Sequence, residues 1–167
     1  MESEGAVMGI RDLVIPAEAV AAVHDPGYRV ITVCAGTGCT SSASAEVRDA
    51  LDQELAVHGL DGQVEVRRTG CFGFCAQGPI MVVNPGETFY TQVAPEDVPE
   101  IVAEHVIGGR TVKRLLYQDP AHKAPVEKWS QIDFYGKQKR IPLGNCGIID
   151  PEHIDHYLAR DGYRALH

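Results

Sequence analysis

The stretch TGCFGFCAQGP, residues 69–79, sets Cys71 and Cys75 among glycines and phenylalanines, directly before the apolar run IMVV at 80–83. An earlier stretch, CAGTGC at 34–39, places Cys34 and Cys39 the same way, after the β-rich run YRVITV at 28–33. Each pair therefore occupies the loop behind a strand end. Such loops lie side by side when their strands neighbour each other in one sheet, so four thiols are expected to converge at a single edge.

Working outward, the Pro26-Gly27 break opens the first strand. SSASAEVRDALDQELAVHG at 41–59 predicts a helix. Ser41 or Ser42 is the candidate cap, Val47, Leu51 and Leu55 are the apolar stripe, and Gly59 is the stop. His58 sits where a helix dipole favours a cation. QVEVR at 63–67 alternates as a second strand. IMVV, the turn Asn84-Pro85-Gly86-Glu87 and TFYTQV at 88–93 predict a β-hairpin. PEDVPEIVAEHVIGG at 95–109 predicts a helix with Val98, Ile101, Val102 and His105 on one face. The order β-α-β-β-β-α is that of a small α/β domain of thioredoxin-like type, with helices over a mixed four-stranded sheet.

Four chemistries use paired cysteines. A thioredoxin-type dithiol wants Cys-x-x-Cys, and neither pair has that spacing. Disulfides are disfavoured by the reducing cytoplasm expected for this chain. Zinc accepts pairs two to four residues apart and stays open on spacing alone. A 2Fe–2S cluster needs four thiolates on a larger core, with backbone N–H groups aimed at sulfur, which Gly36, Gly38, Gly70, Gly73 and Gly78 can supply. Phe72 and Phe74 either exclude water from such a core or simply pack. GTGCTS at 36–41 is an imperfect dinucleotide fingerprint: Ser41 replaces its third glycine, and Arg67-Arg68 end the next strand where a ribose-binding acid is needed.

CAGTGC together with TGCFGFCAQGP resembles the thioredoxin-like 2Fe–2S ferredoxins, which include the small iron–sulfur subunit of respiratory complex I. The resemblance covers residues 28–107 and implies that Cys34, Cys39, Cys71 and Cys75 are the cluster ligands. The later sequence RLLYQDP…IDFYGKQKRIPLGNCGIIDPEHIDHYLARDGYRAL resembles the beginning of the flavin- and NADH-binding subunit of complex I and of NAD-linked hydrogenases and formate dehydrogenases. That resemblance implies an electron-transfer portion of a larger NAD(P)H-linked oxidoreductase, with no catalytic residue of its own. FMN and NADH would be bound only downstream of His167, and other redox subunits would be the partners. A zinc-stabilised docking module is the alternative.

The expected organisation is an extension with a short helix (1–27), the ferredoxin-like domain (28–107), a linker (108–128) rich in breaks at Pro120 and Pro125, and the flavoprotein start (129–167). In the last segment, Asp150 and Pro151 are the expected cap and first residue of a helix whose apolar face is Ile154, Tyr157 and Leu158, with Gly162 as the stop. Cys146 has no cysteine near it in sequence and is expected to be a buried or inert thiol. His153 and His156 are expected at the surface, and Lys137, Lys139 and Arg140 as a solvated basic run.

The chain has 167 residues and a formal charge of −8. Residues 1–24 carry −3, residues 25–107 carry −8 and residues 108–167 carry +3. This balance argues against nucleic acid as a partner. No uncharged run approaches the roughly 20 apolar residues of a membrane span, and the N-terminus MESEGAVMG has no apolar leader core.

Overall fold

The computed structural model describes residues 14–120 and 124–164. The N-terminal stretch on which the expectation of no leader falls lies outside them. Strand β1 (Val30–Cys34) is buried at every position, as a central strand must be. β2 (Glu65–Thr69) pairs with it in parallel, and β3 (Met81–Asn84) pairs antiparallel on its other side. β4 (Thr88–Tyr90) completes the hairpin and the order β2-β1-β3-β4. The mixed four-stranded sheet expected from the sequence is thus present.

Alternation along β1 sends Ile31 and Val33 to one face and Thr32 and Cys34 to the other. The first face carries Val47, Leu51 and Leu55 of α3 (Ser44–Val57). Beside them pack Val98, Ile101 and Val102 from the second predicted helix. That helix is irregular: a 3₁₀ turn at Pro95–Asp97, the α-helical turn α4 (Val98–Glu100) and a π-helical stretch at Ile101–Ile107. His105 lies beside the core, its Nδ1 2.9 Å from the Tyr90 hydroxyl.

The second face is covered by residues the sequence assigns elsewhere. Phe72, Ile80, Val82 and Phe89 pack there with Ile132 and with Tyr135 of the short helix α5 (Asp133–Gly136), and Tyr117, Val126 and Trp129 lie against the same cluster. Residues 108–128, expected as a linker, instead hold a 3₁₀ turn at Lys113–Leu115 and a hairpin of β5 (Tyr117–Asp119) and β6 (Ala124–Val126). Val112, Leu115 and Leu116 are buried in the first core. Pro125 sits in a two-stranded edge, where a missing N–H costs no ladder bond, so the proline does not forbid the strand.

Two helix starts differ from expectation. No side chain caps α3. Ala43 holds the cap position with φ +70°, and Ser42 Oγ donates instead to Gly38 O (3.0 Å) within the short helix-loop after α2 (Thr37–Thr40). The last helix, α6 (Ile154–Ala159), begins after His153, and Asp150 and Pro151 form the turn before it. Asp150 Oδ1 accepts from the N–H of Glu152 (2.9 Å), so the carboxylate organises the turn and not the helix. Leu158 and His156 are its buried residues, while Ile154 is exposed. α6 packs on α1 (Ala17–His24), and His24 Nε2 lies 2.7 Å from Ala159 O.

One side chain joins these parts. Arg67 on β2 is 2 % exposed and meets Glu65 through Nε (2.6 Å) and Nη2 (2.7 Å). It also donates to Ala22 O of α1 (3.1 Å) and to Ile148 O of the C-terminal segment. Its charge is paired and its fork nearly filled, which is what allows a guanidinium to be buried.

Candidate metal centre

Cys34 ends β1, Cys39 lies in α2, Cys71 follows β2, and Cys75 begins a 3₁₀ turn at Cys75–Gln77. Parallel pairing sets Cys34 opposite Thr69, so the two loops leave the sheet together. They then interlock. A Cβ on Gly36 would stand 2.9 Å from Cys71 Cβ, and one on Gly38 would stand 3.0 Å from Cys75 Cβ. A Cβ on Gly78 would stand 2.8 Å from Cys39 Sγ. Each glycine of one loop makes room for a cysteine of the other, which no larger residue does without displacing it.

The thiols lie in two pairs. Cys71 Sγ is 3.7 Å from Cys75 Sγ, close to the ~3.8 Å of two sulfurs sharing one tetrahedral metal at ~2.3 Å. Cys39 is buried, and burial together with the Cys34 thiol against it pushes its pKa up to about 12. The Cys71 thiol beside it raises the Cys75 thiol, which is exposed. The metal-free Cys39 and Cys75 sulfurs therefore hold their protons, and a bound metal must displace them. Gly73, at φ +86°, turns its N–H onto Cys71 Sγ (3.2 Å). All five cysteines are free thiols. Among the described residues no three Cys, His, Asp or Glu side chains gather round one ion. Paired sulfurs on two loops suit a two-iron core better than a single tetrahedral zinc.

The loops themselves carry no charge, and one side of them is aromatic. From Cys34 to Ala45 and from Thr69 to Pro79 there is no charged side chain. Phe74 stacks on Tyr135 (5.0 Å) and meets Phe134, Tyr117 and Phe89 edge-on, and Phe72 meets Phe89 edge-on at 5.8 Å. The Tyr135 hydroxyl donates to Phe72 O, and burial raises its pKa. Phe72 and Phe74 are thus packed, and residues beyond 128 form much of the wall they pack against.

Three expectations change here. Cys146 is not remote: a Cβ on Gly70 would stand 2.8 Å from its Sγ, beside Cys71, and burial raises its pKa. Arg140 is half-buried instead of free in solvent, for its guanidinium lies over Trp129 (5.2 Å) and Tyr135 (5.5 Å) and donates to Cys146 O (3.1 Å). His156 is buried, its Nδ1 accepting from the Asp150 N–H (3.2 Å), and burial lowers its pKa. The tertiary approach of residues 129–160 to the sheet creates all three, and no local pattern announces it.

Residues 21–105 match the family model for thioredoxin-like 2Fe-2S ferredoxin. This chain belongs to that family. The ferredoxin resembles the 2Fe-2S ferredoxin of Clostridium pasteurianum, with 46% identity over 77 residues, 46% of this chain and 76% of that protein. A crystal structure of the thioredoxin-like ferredoxin of Aquifex aeolicus superposes with a TM-score of 0.51 at 33% identity, covering 55% of this chain and 98% of the other. Two subunits of the NADP-reducing hydrogenase of Solidesulfovibrio fructosivorans are also similar. HndA is 34% identical over 83 residues, 47% of each chain, and HndC is 60% identical over 30 residues, 18% of this chain and 6% of HndC. A 2Fe–2S cluster is accordingly the ferredoxin's cofactor and single-electron transfer its chemistry, and nothing in these likenesses supports the zinc alternative. Among the described residues no helix is long and apolar enough to cross a membrane.

Proposed function

We propose that Cys34, Cys39, Cys71 and Cys75 hold the cluster, and that the chain relays single electrons within a larger NAD(P)H-linked oxidoreductase of hydrogenase type. The observation that carries the ligand assignment is the interlocked pair of glycine loops, which brings these four thiols to one sheet edge. Four-thiolate ligation supplies a one-electron couple at low potential, nearer the roughly −400 mV of plant-type ferredoxins than Rieske values. The protein's part is to preset the sulfurs, to donate the Gly73 N–H to Cys71, and to keep water from the Phe72–Phe74 side. Cys75, exposed, marks the side from which an electron partner approaches.

The parent-enzyme reading rests on the likeness to HndA and HndC and on the resemblance of residues 129–167 to a flavoprotein start. A nicotinamide delivers a hydride and this couple takes one electron, so a flavin on a partner or downstream segment must divide the pair. Five free thiols favour a reducing cytoplasm. Anaerobically purified protein should contain about two irons and two acid-labile sulfides per chain. NADH should bleach its visible absorption only when a flavin-containing partner subunit is added. Stoichiometric zinc without iron, or NADH reduction of the isolated chain, refutes the reading.

A further inference from the structure

A cavity of about 240 Å³ opens over β1, between α1 and the segment around Ile148. Thr32, only 1 % exposed, lines it, and its Oγ1 is buried with no hydrogen-bond partner. An unmatched buried hydroxyl is costly, so it asks for a polar occupant. Arg67 shares the lining. Glu65 neutralises its charge, and Nη1 has one proton to spare beyond its bond to Ile148 O. Arg160, half-buried, lines the cavity too. Its Nε donates to Asn145 Oδ1 (3.2 Å), and among the described residues no carboxylate pairs with it. Two carboxylates complete the charged lining. Asp25 Oδ1 accepts from the Gly27 N–H (2.8 Å) and Glu87 Oε2 from the Ser130 hydroxyl (2.7 Å), and among the described residues no cation pairs with either.

An unpaired guanidinium and a buried hydroxyl suit a carboxylate, whereas two unpaired carboxylates in the same lining repel a plain anion and suit an ammonium. Val23, Ile148 and the Trp129 ring make much of the remaining wall apolar. We propose that this cavity binds a small aliphatic α-amino acid as its zwitterion. Arg160 and the Thr32 hydroxyl take its carboxylate, Asp25 and Glu87 take its ammonium, and its side chain lies on the apolar wall. The volume falls below the roughly 300 Å³ at which ordinary small-molecule pockets begin, which excludes a nucleotide. Such a ligand touches β1, α1 and the C-terminal segment at once, so occupancy holds all three together against unfolding.

Isothermal titration of the cluster-loaded protein with L-alanine tests the site. One saturable site is expected, and the thermal midpoint should rise with alanine concentration. Propionate, which lacks the ammonium, and ethylamine, which lacks the carboxylate, should each bind at least tenfold more weakly. Affinity for alanine should fall at least tenfold in Arg160→Gln and several-fold in Thr32→Val, which keeps the side-chain shape and loses only the hydroxyl. Glu87→Gln, whose amide oxygen still accepts from Ser130, should weaken alanine several-fold and leave propionate unaffected or tighter. Iron content and visible spectrum should stay those of the parent in all three variants. Absence of saturable alanine binding, or equal affinity in the parent, Thr32→Val and Arg160→Gln, overturns the site. Propionate or ethylamine binding as tightly as alanine overturns the zwitterion assignment.

Discussion

At the scale of single residues, the ligand assignment gives the sharpest expectations. Replacing any of Cys34, Cys39, Cys71 or Cys75 by alanine should remove or badly destabilise the cluster, read as iron and sulfide per chain. Cys146→Ser should retain both despite its closeness to Gly70, because each of the two sulfur pairs is complete without it. Gly36→Ala should act like a ligand mutation, since its new methyl would stand 2.9 Å from Cys71 Cβ. Loss of cluster there, with all four cysteines intact, would separate cradle from coordination. The four cysteines and their glycines are legible in the sequence because pairing and spacing are local. Arg67 is not. A charged residue in an alternating strand reads as solvent-facing, and its burial depends on carbonyls 45 and 81 positions away in the chain.

At the scale of elements, the sheet and its helices follow from short-range pattern, and the errors fall at their ends. Serines before an apolar run suggest a cap, but the helix-loop after α2 draws Ser42 to Gly38 O and leaves Ala43 in the left-handed region. A non-glycine residue there costs about 1–2 kcal/mol, partly offset by the greater chain entropy of glycine. Ala43→Gly should therefore stabilise the protein by up to about 1 kcal/mol in urea unfolding; destabilisation would show that Ala43 makes a contact of its own. The histidines of the irregular helix and of α6 set a pH limit. Burial lowers the pKa of both His105 and His156. A lowered folded-state value means that the folded protein prefers the neutral ring. The stability each contributes is present above the ordinary value near 6.5 and is lost as pH falls through that value toward the folded one. The urea midpoint should decline from pH 7 to pH 5, and His156→Gln should shallow the decline. An unchanged slope would assign the acid sensitivity elsewhere.

At the scale of the whole molecule, the second face of the sheet is closed by side chains from Tyr117 to Tyr135, in a stretch that propensity reads as a linker followed by a separate beginning. Periodicity cannot reveal a covering made of single aromatics spaced along irregular chain. Removing residues 108–164 should expose Phe72, Val82 and Phe89, seen as dye binding and faster cluster loss on exposure to air; a well-behaved, monomeric truncation of unchanged cluster lifetime would refute the role of the wall. Arg67→Met should cost about 3 kcal/mol, because Glu65 and two carbonyls lose their donor. The same guanidinium has a further consequence. It grips an N-terminal helix and a C-terminal loop at once, so loosening either end weakens the anchor of the other. Calorimetry should then record one endotherm with equal van't Hoff and calorimetric enthalpies, and a double-mutant cycle between α1 and the segment around Ile148 should return a non-zero coupling energy although the two need not touch.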